Sequence, residues 1–481
     1  MSVPSARPAR ATRSSGTAKA RYRATLDRLF QLRRFGMRPG LEVIDALLGA
    51  LDHPEASFRA VHVAGSKGKG SVSAMTARIL EEAGRKVGLF TSPHLVSYRE
   101  RIRVRGRPIP RAAVVEGIER IQARADSLAR DGRIDRHPTF FEITTALAFD
   151  WFRTAEVDDA VIEVGLGGRL DSTNVLSAPV GVISTIELEH TEILGPTLTD
   201  IAREKAGILH PGMRAVIGEV GPEAGAEIAR SADRSGVPVL RLGREIRVAD
   251  RTLSEGGQTF SVETPRNRYP KVEIPLQGSF QPGNAALAIA ASELYANARG
   301  FDLPTSAVLR GLATVRWPGR LERLARRPET YVDVAHTPES ARAVAESLAE
   351  LLPFADPSES VVLFGCLADK RIDRILEALS PLARTVVVVP VGSARSAAPA
   401  DLRRSATGRF ARIVQAPDAG AGLALARAAV GPDGFLLATG SDYLVGEILR
   451  QARGRSSGEP DLSDPGLSGE PPAAAGPPGK P

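Results

Sequence analysis

Along the chain, short apolar runs alternate with windows in which apolar residues recur every three or four positions. Runs at 60–64, 87–91, 160–164 and 180–185 predict strands, and windows at 71–83, 141–152 and 198–209 predict amphipathic helices. This alternation is the pattern of α/β architecture with a parallel sheet. It breaks over 244–275, where polar and apolar residues alternate among frequent Gly and Pro, predicting small hairpins over one end of a first domain. A helix at 283–298 follows. After Trp317-Pro318-Gly319 the rhythm restarts, with strands expected at 330–334, 360–364, 385–389 and 434–438. The boundary therefore falls near residue 314, dividing a first domain over 21–314 from a smaller Rossmann-like α/β domain over 315–453. The flanks, 1–20 and 454–481, lack periodic apolar positions and are expected to be disordered.

A length of 481 residues suits two domains, and an apolar fraction of 43% suffices for a core in each. The single cysteine, Cys366, excludes an internal disulfide and fits a reducing cytoplasm. No run of eighteen apolar residues exists, so no membrane span is expected. The basic, Ser/Ala-rich start is not followed by an apolar run and fails as a secretory signal. The formal charge of +7 comes from arginines interleaved with acids, without a basic stripe or aromatic platform. That distribution argues against nucleic acid as a partner and for anionic small molecules.

The first chemical signal is Gly65-Ser66-Lys67-Gly68-Lys69-Gly70-Ser71, which joins an apolar strand directly to a helical pattern. Glycines let backbone N–H groups converge on phosphate oxygens, and the helix N-terminus favours negative charge. Lys69 is expected to reach the β/γ-phosphates, with the Ser71 hydroxyl near the nucleotide or its Mg²⁺. The loop is one residue shorter than G-x-x-x-x-G-K-[ST], and Gly70 intervenes between Lys69 and Ser71. A glycine-rich turn at a strand–helix junction is the structural alternative.

The loop resembles the G-T-x-G-K-G-S loop of folylpolyglutamate synthases and dihydrofolate synthases, members of the Mur ligase superfamily. Further matches follow in order: 90–95 (Phe-Thr-Ser-Pro-His-Leu), 163–171 (Glu-Val-Gly-Leu-Gly-Gly-Arg-Leu-Asp), 204–208 (Glu-Lys-Ala-Gly-Ile), Gln277-Gly278 with Asn284, Pro318-Gly319-Arg320, Asp333 with His336, and Thr439-Gly440-Ser441. The resemblance covers roughly 22–452. It implies a P-loop Mur-ligase-type ATPase domain followed by the smaller α/β domain. The implied reaction joins L-glutamate to tetrahydrofolate or a folylpolyglutamate, and in bifunctional members also to dihydropteroate. The implied substrates are thus ATP, glutamate and a reduced folate, handled by a cytoplasmic monomer.

Amide formation requires the carboxylate hydroxyl to become a good leaving group, which transfer of the ATP γ-phosphoryl group achieves as an acyl phosphate. Charge builds on phosphate oxygens, so cations and oriented donors are the main need. Glu163 ends an apolar strand, where carboxylates of parallel sheets face the ligand crevice. The resemblance assigns Glu163, Ser92 and His190 to Mg²⁺. It also implies a second cation site with a carbamylated lysine at Lys205, a modification that sequence cannot display; an ordinary exposed lysine is the alternative. Asn284, Arg320 and Asp333 are implied at ATP, although an N-cap for Asn284 and an interdomain ion pair for Arg320 stay open. His336 is expected near the γ-phosphate or the incoming glutamate. For the pterin the family points to Thr139, Phe140, Phe141 and Glu142 and to Leu170, Asp171 and Ser172, with core packing the alternative for the two aromatics.

Three departures stand out: Lys67 replaces a frequent Asn, Glu189 replaces the usual Asp before His190, and Thr337 follows His336 where Asn is frequent. Lys67 and Thr337 lean towards members dedicated to polyglutamylation. A cell-wall precursor ligase is disfavoured because too little chain precedes residue 60 for a nucleotide-sugar domain. A non-catalytic P-loop protein would leave Arg320, Asp333 and His336 unexplained.

Overall fold

The apolar runs carry no polar alternation because both of their faces are covered. In the computed structural model, which describes residues 11–32, 39–254 and 256–454, the first eight strands form one sheet. They are β1 (Arg59–Ala64), β2 (Val87–Phe90), β3 (Ile102–Val104), β4 (Arg107–Pro108), β5 (Asp159–Glu163), β6 (Val180–Ile183), β7 (Arg214–Ile217) and β8 (Val239–Arg241). Their order is β4-β3-β2-β5-β1-β6-β7-β8. All pairings are parallel except those of β3 with β2 and β4 at one edge. Ala60 and Ala64 of β1 join one core, against the helices Arg111–Arg130 and Phe140–Thr154. Val61 and Val63 join the other, against the helices Lys69–Glu82 and Gln281–Arg299. This is the two-residue period of a strand expressed as two layers.

The irregular stretch forms an antiparallel sheet of β9 (Arg247–Ser254), β10 (Gly257–Glu263) and β11 (Arg268–Ile274). Its apolar face packs on the helix Gln281–Arg299. Buried Glu293 of that helix accepts from Thr264 Oγ1 at 2.8 Å, Tyr269 OH at 2.8 Å and Asn267 Nδ2 at 3.0 Å, pinning the hairpin in place.

The third sheet contains β12 (Glu322–Arg326), β13 (Glu329–Asp333), β14 (Val361–Phe364), β15 (Thr385–Val388), β16 (Arg412–Gln415) and β17 (Phe435–Thr439). The order is β12-β13-β17-β14-β15-β16, parallel apart from the antiparallel edge strand β12. Helices cover both faces, giving two further cores.

Two expectations need correction. Residues 11–20, expected to be disordered, open the helix Ala11–Gln31. Half of that stretch is Ser, Thr and Gly, so propensity does not account for it; it continues a helix anchored by buried Tyr22, Leu26 and Leu29. Residues 1–10, and the tail beyond Gly454, lie outside the described residues. The helix expected at 283 starts at Gln281, with Pro282 in its first turn, a position where the missing N–H costs nothing. Asn284 therefore lies inside the helix and is not its N-cap.

Candidate functional site

The C-terminal ends of β1, β5 and β6 face those of β13 and β14 across a cleft of about 780 Å³. Ligands of parallel α/β sheets bind at such strand ends. The phosphate loop, residues 65–71, forms its floor. The loop is strapped to the end of β6 by Ser66 N–H to Thr185 O and Lys67 N–H to Thr185 Oγ1, both 2.8 Å. Gly68, at φ +83°, caps the helix Lys69–Glu82, and a Cβ there would lie 2.5 Å from Asn284 Oδ1. Any larger residue would push the loop and Asn284 apart. Lys69 Nζ donates to the Gly65 and Ser66 carbonyls at 2.8 and 3.2 Å, so its charge is held inside the loop curve. Ser71 is buried, and Gln281 Nε2 approaches its hydroxyl at 3.4 Å.

Glu163 ends β5 beside this loop and accepts from Ser92 N–H at 3.0 Å. Burial pushes its carboxyl up to about 7, against the pull of Lys69, the Ser92 N–H and Arg320. His190 sits in left-handed backbone (φ +49°), and burial drives its imidazole down to about 4 with Lys370 of the facing domain adding to the effect. Lys205 is 1% exposed, not a surface lysine. It donates to Gly65 O and Glu189 Oε1, both at 3.0 Å, and Lys67 Nζ lies 3.7 Å from Glu189 Oε2. Burial lowers the Lys205 ammonium to about 8 in spite of Glu189. Burial opposes ionisation of Glu189, but Lys205, Lys69 and Lys67 hold it well below the usual carboxylate range. One carboxylate, that of Glu189, thus meets two lysines.

From the second domain come Arg320, Asp333 and His336. Asp333, at the end of β13, accepts from Leu321 N–H and Ala335 N–H, both 2.8 Å, and burial raises it to about 6. It thereby fixes the turn that presents Arg320, whose charge favours ionisation of both Asp333 and Glu163. His336 Nδ1 lies 2.9 Å from Val334 O, and burial keeps the ring neutral, well below its usual range.

The substrate candidates divide. Thr139, Phe140, Phe141, Leu170, Asp171 and Ser172 line the cleft, whereas Glu142 does not. Thr139 and Glu142 form a reciprocal capping box on the helix Phe140–Thr154, and Glu142 also pairs with both ends of the Arg136 guanidinium at 2.8 and 2.9 Å. With both oxygens so engaged, Glu142 serves as a helix-start device and lies outside the cleft lining. Asp171 ties its own loop, accepting from Leu166 N–H and Thr173 N–H at 2.9 Å each. Phe140 stacks on Phe30 at 5.4 Å with the Arg101 guanidinium 5.4 Å from its ring, while Phe141 packs against Phe90.

Several cleft residues escaped the sequence reading. Arg101 is almost fully buried, yet nothing distinguishes it from its many arginine neighbours in sequence. Lys370 and Arg371 were findable, because they follow β14 and strand ends of a parallel sheet were already the rule applied to Glu163. Outside the cleft lining, Trp317 packs on the phosphate loop: a Cβ on Gly70 would meet its ring at 2.9 Å.

The two-sheet arrangement around a phosphate loop is that of a Mur-type ligase: residues 63–292 match the Mur ligase middle domain, and 319–442 the Mur ligase glutamate ligase domain. The folylpolyglutamate synthase of Lacticaseibacillus casei is 36% identical over 85% of this chain and 94% of its own. The dihydrofolate synthase/folylpolyglutamate synthase of Mycobacterium tuberculosis is 39% identical over 74% of this chain and 75% of its own. A solved structure of Mycobacterium tuberculosis folylpolyglutamate synthase complexed with ADP superposes with a TM-score of 0.84 at 33% identity, covering 91% of this chain and 99% of that one. The chain belongs to the folylpolyglutamate synthase/dihydrofolate synthase family of carbon–nitrogen ligases. No described helix is long and apolar enough to cross a membrane.

Proposed function

We propose that the protein is a cytoplasmic, monomeric ligase that uses ATP to add L-glutamate to a reduced folate through an acyl phosphate. The observation that carries this reading is the convergence on one cleft of the phosphate loop and its Lys69 with Glu163 on one side and Arg320 and His336 on the other. Lys69 and the loop N–H groups bind the triphosphate. Arg320 offsets charge as the γ-phosphoryl group moves to the folate carboxylate. His336, a neutral imidazole in the cleft lining, is placed to contact the incoming glutamate or the γ-phosphate. The walls keep water from the acyl phosphate.

The side chains at Glu163, Ser92 and His190 fit Mg²⁺: a buried carboxylate that burial alone holds near neutrality gains from a neighbouring cation, and a neutral imidazole offers a lone pair. Mg²⁺ takes few protein ligands and keeps several waters, so this sparse set is adequate. When bound, it would neutralise triphosphate charge. A second cation beside Lys205 requires carbamylation of that amine. The Glu189 partner favours the ammonium, so Lys205 is taken as a charged lysine, with the carbamate as the alternative that rescue chemistry distinguishes.

Dihydropteroate is the second candidate acceptor, by analogy with the bifunctional Mycobacterium tuberculosis relative. Thr337, one basis for leaning away from it, is the N-cap of the helix Pro338–Leu351. Asn caps equally well, so that exchange carries no substrate information. The test is ADP release measured with tetrahydrofolate or dihydropteroate, with and without glutamate. Release that requires both a pterin and glutamate supports the reading; release indifferent to both contradicts it.

A further inference from the structure

The first-domain segment 92–97 is built into the core of the second domain. Val96, 8% exposed, clusters with Val332, Val334, Leu363 and Leu444, and Leu95 packs on the same cluster. Two second-domain glycines make room for it. A Cβ on Gly319 would lie 2.9 Å from Leu95 Cδ1, and one on Gly446 would lie 2.1 Å from the Leu95 carbonyl oxygen. Gly319 immediately precedes Arg320, and Gly446 lies inside the helix Asp442–Ala452. At the near end of the segment, Ser92 N–H donates to Glu163 at 3.0 Å. The Glu100 carboxylate accepts from Leu95 N–H at 3.1 Å and Ser97 N–H at 3.2 Å, which stiffens the stretch between.

We infer that Leu95, seated between Gly319 and Gly446, is a strut by which the second domain sets Ser92 against Glu163 and Arg320. Only Pro93 and His94 lie between Ser92, anchored on Glu163, and Leu95, anchored in the second domain, so displacement of one end reaches the other. Because the Arg320 turn touches the same leucine, one contact couples the two walls of the cleft. Leu95 and Gly446 are thus positioning residues. The turnover part of the test rests on the proposed ligase reading; the exchange part does not.

The test is Gly446→Ala in the full-length protein. Gly to Ala inside a helix ordinarily favours the helix, so a loss cannot be blamed on helix propensity. The new methyl must move the Leu95 carbonyl, since backbone has no rotamer by which to yield. Amide hydrogen exchange at 92–97 should quicken while that of 69–82 stays unchanged. The turnover number should fall on the order of tenfold to a hundredfold, as expected for a misplaced reacting group, with KM for ATP unaltered. Leu423→Ala, in the same core but on another helix, should lower the melting temperature without altering exchange at 92–97. Unchanged exchange and turnover in Gly446→Ala would overturn the strut, as would equal quickening at 92–97 in Leu423→Ala. If the wild-type chain ligates glutamate to no pterin, the ligase reading falls while the exchange result still decides the strut.

Discussion

Lys205 and Glu189 form an ion pair at 3.0 Å in the cleft wall, with the lysine side chain only 2% exposed. A carbamate at Lys205 would exchange this attraction for repulsion between two anions unless a cation separated them. Removing one partner of a buried pair typically costs ~3 kcal/mol or more when the other is left uncompensated, but Glu189 keeps Lys67 at 3.7 Å. Lys205→Ala should therefore lower stability by less than that amount, and Lys205→Ala with Glu189→Ala together should recover part of it. Chemical denaturation of the three variants measures both. If activity of Lys205→Ala returns on adding short carboxylic acids, the carbamate is the working form; absence of rescue with the stability pattern intact supports the ammonium.

Glu163 gives a pH dependence with a definite sign. Its folded-state pKa is raised from 4.5 to about 7 by burial, so between those values the folded protein holds a proton that the unfolded chain has lost. The stability it contributes is full below about 4.5 and is lost as pH rises through about 7. In metal-free protein, Glu163→Gln should thus melt above wild type at pH 8 and close to it at pH 5. Thermal melts at the two pH values check this, and Mg²⁺ should raise the melting temperature at pH 8 in wild type only. Glu163→Gln should also need more Mg²⁺ for half activity.

How much of this was readable beforehand depended on how local each feature is. The phosphate loop was legible because its strand, glycines and helix are contiguous, and Glu163 and Asp333 were legible because both end apolar strands. The minor strands β3, β4, β8 and β12 were not, since two to five residues at a sheet edge carry too little apolar pattern. Burial of Lys205 depends on Glu189, sixteen residues away in sequence, and on Gly65, from a different element; no periodicity encodes that meeting. Glu142 is the opposite case. A Thr-x-x-Glu capping box was present at 139–142, and local helix chemistry claimed the glutamate before any ligand could.

Lys69→Ala should abolish ATP turnover while preserving cooperative melting. Its hydrogen bonds are to loop carbonyls, at 2.8 and 3.2 Å, and the buried carboxylates that feel its charge, Glu189 and Glu163, keep Lys205 and Arg320 as further cations, so the fold should survive truncation. Titration with a fluorescent ATP analogue should reveal weakened binding, because the cation proposed to meet the β/γ-phosphates is gone. Near-normal turnover would remove the phosphate-loop assignment, and loss of cooperative melting would make Lys69 a structural residue.

In the proposed ligation the carboxylate oxygen leaves as part of phosphate. During ligation one oxygen of the acceptor carboxylate becomes the bridging oxygen of the acyl phosphate, and attack by the glutamate amine at the carbonyl carbon expels it. Folate labelled with ¹⁸O in the reacting carboxylate, incubated with ATP and glutamate, should give inorganic phosphate carrying one ¹⁸O atom for each amide formed. Mass spectrometry of the released phosphate reads this directly. Unlabelled phosphate accompanying labelled product would contradict the acyl-phosphate route, whatever the cleft binds.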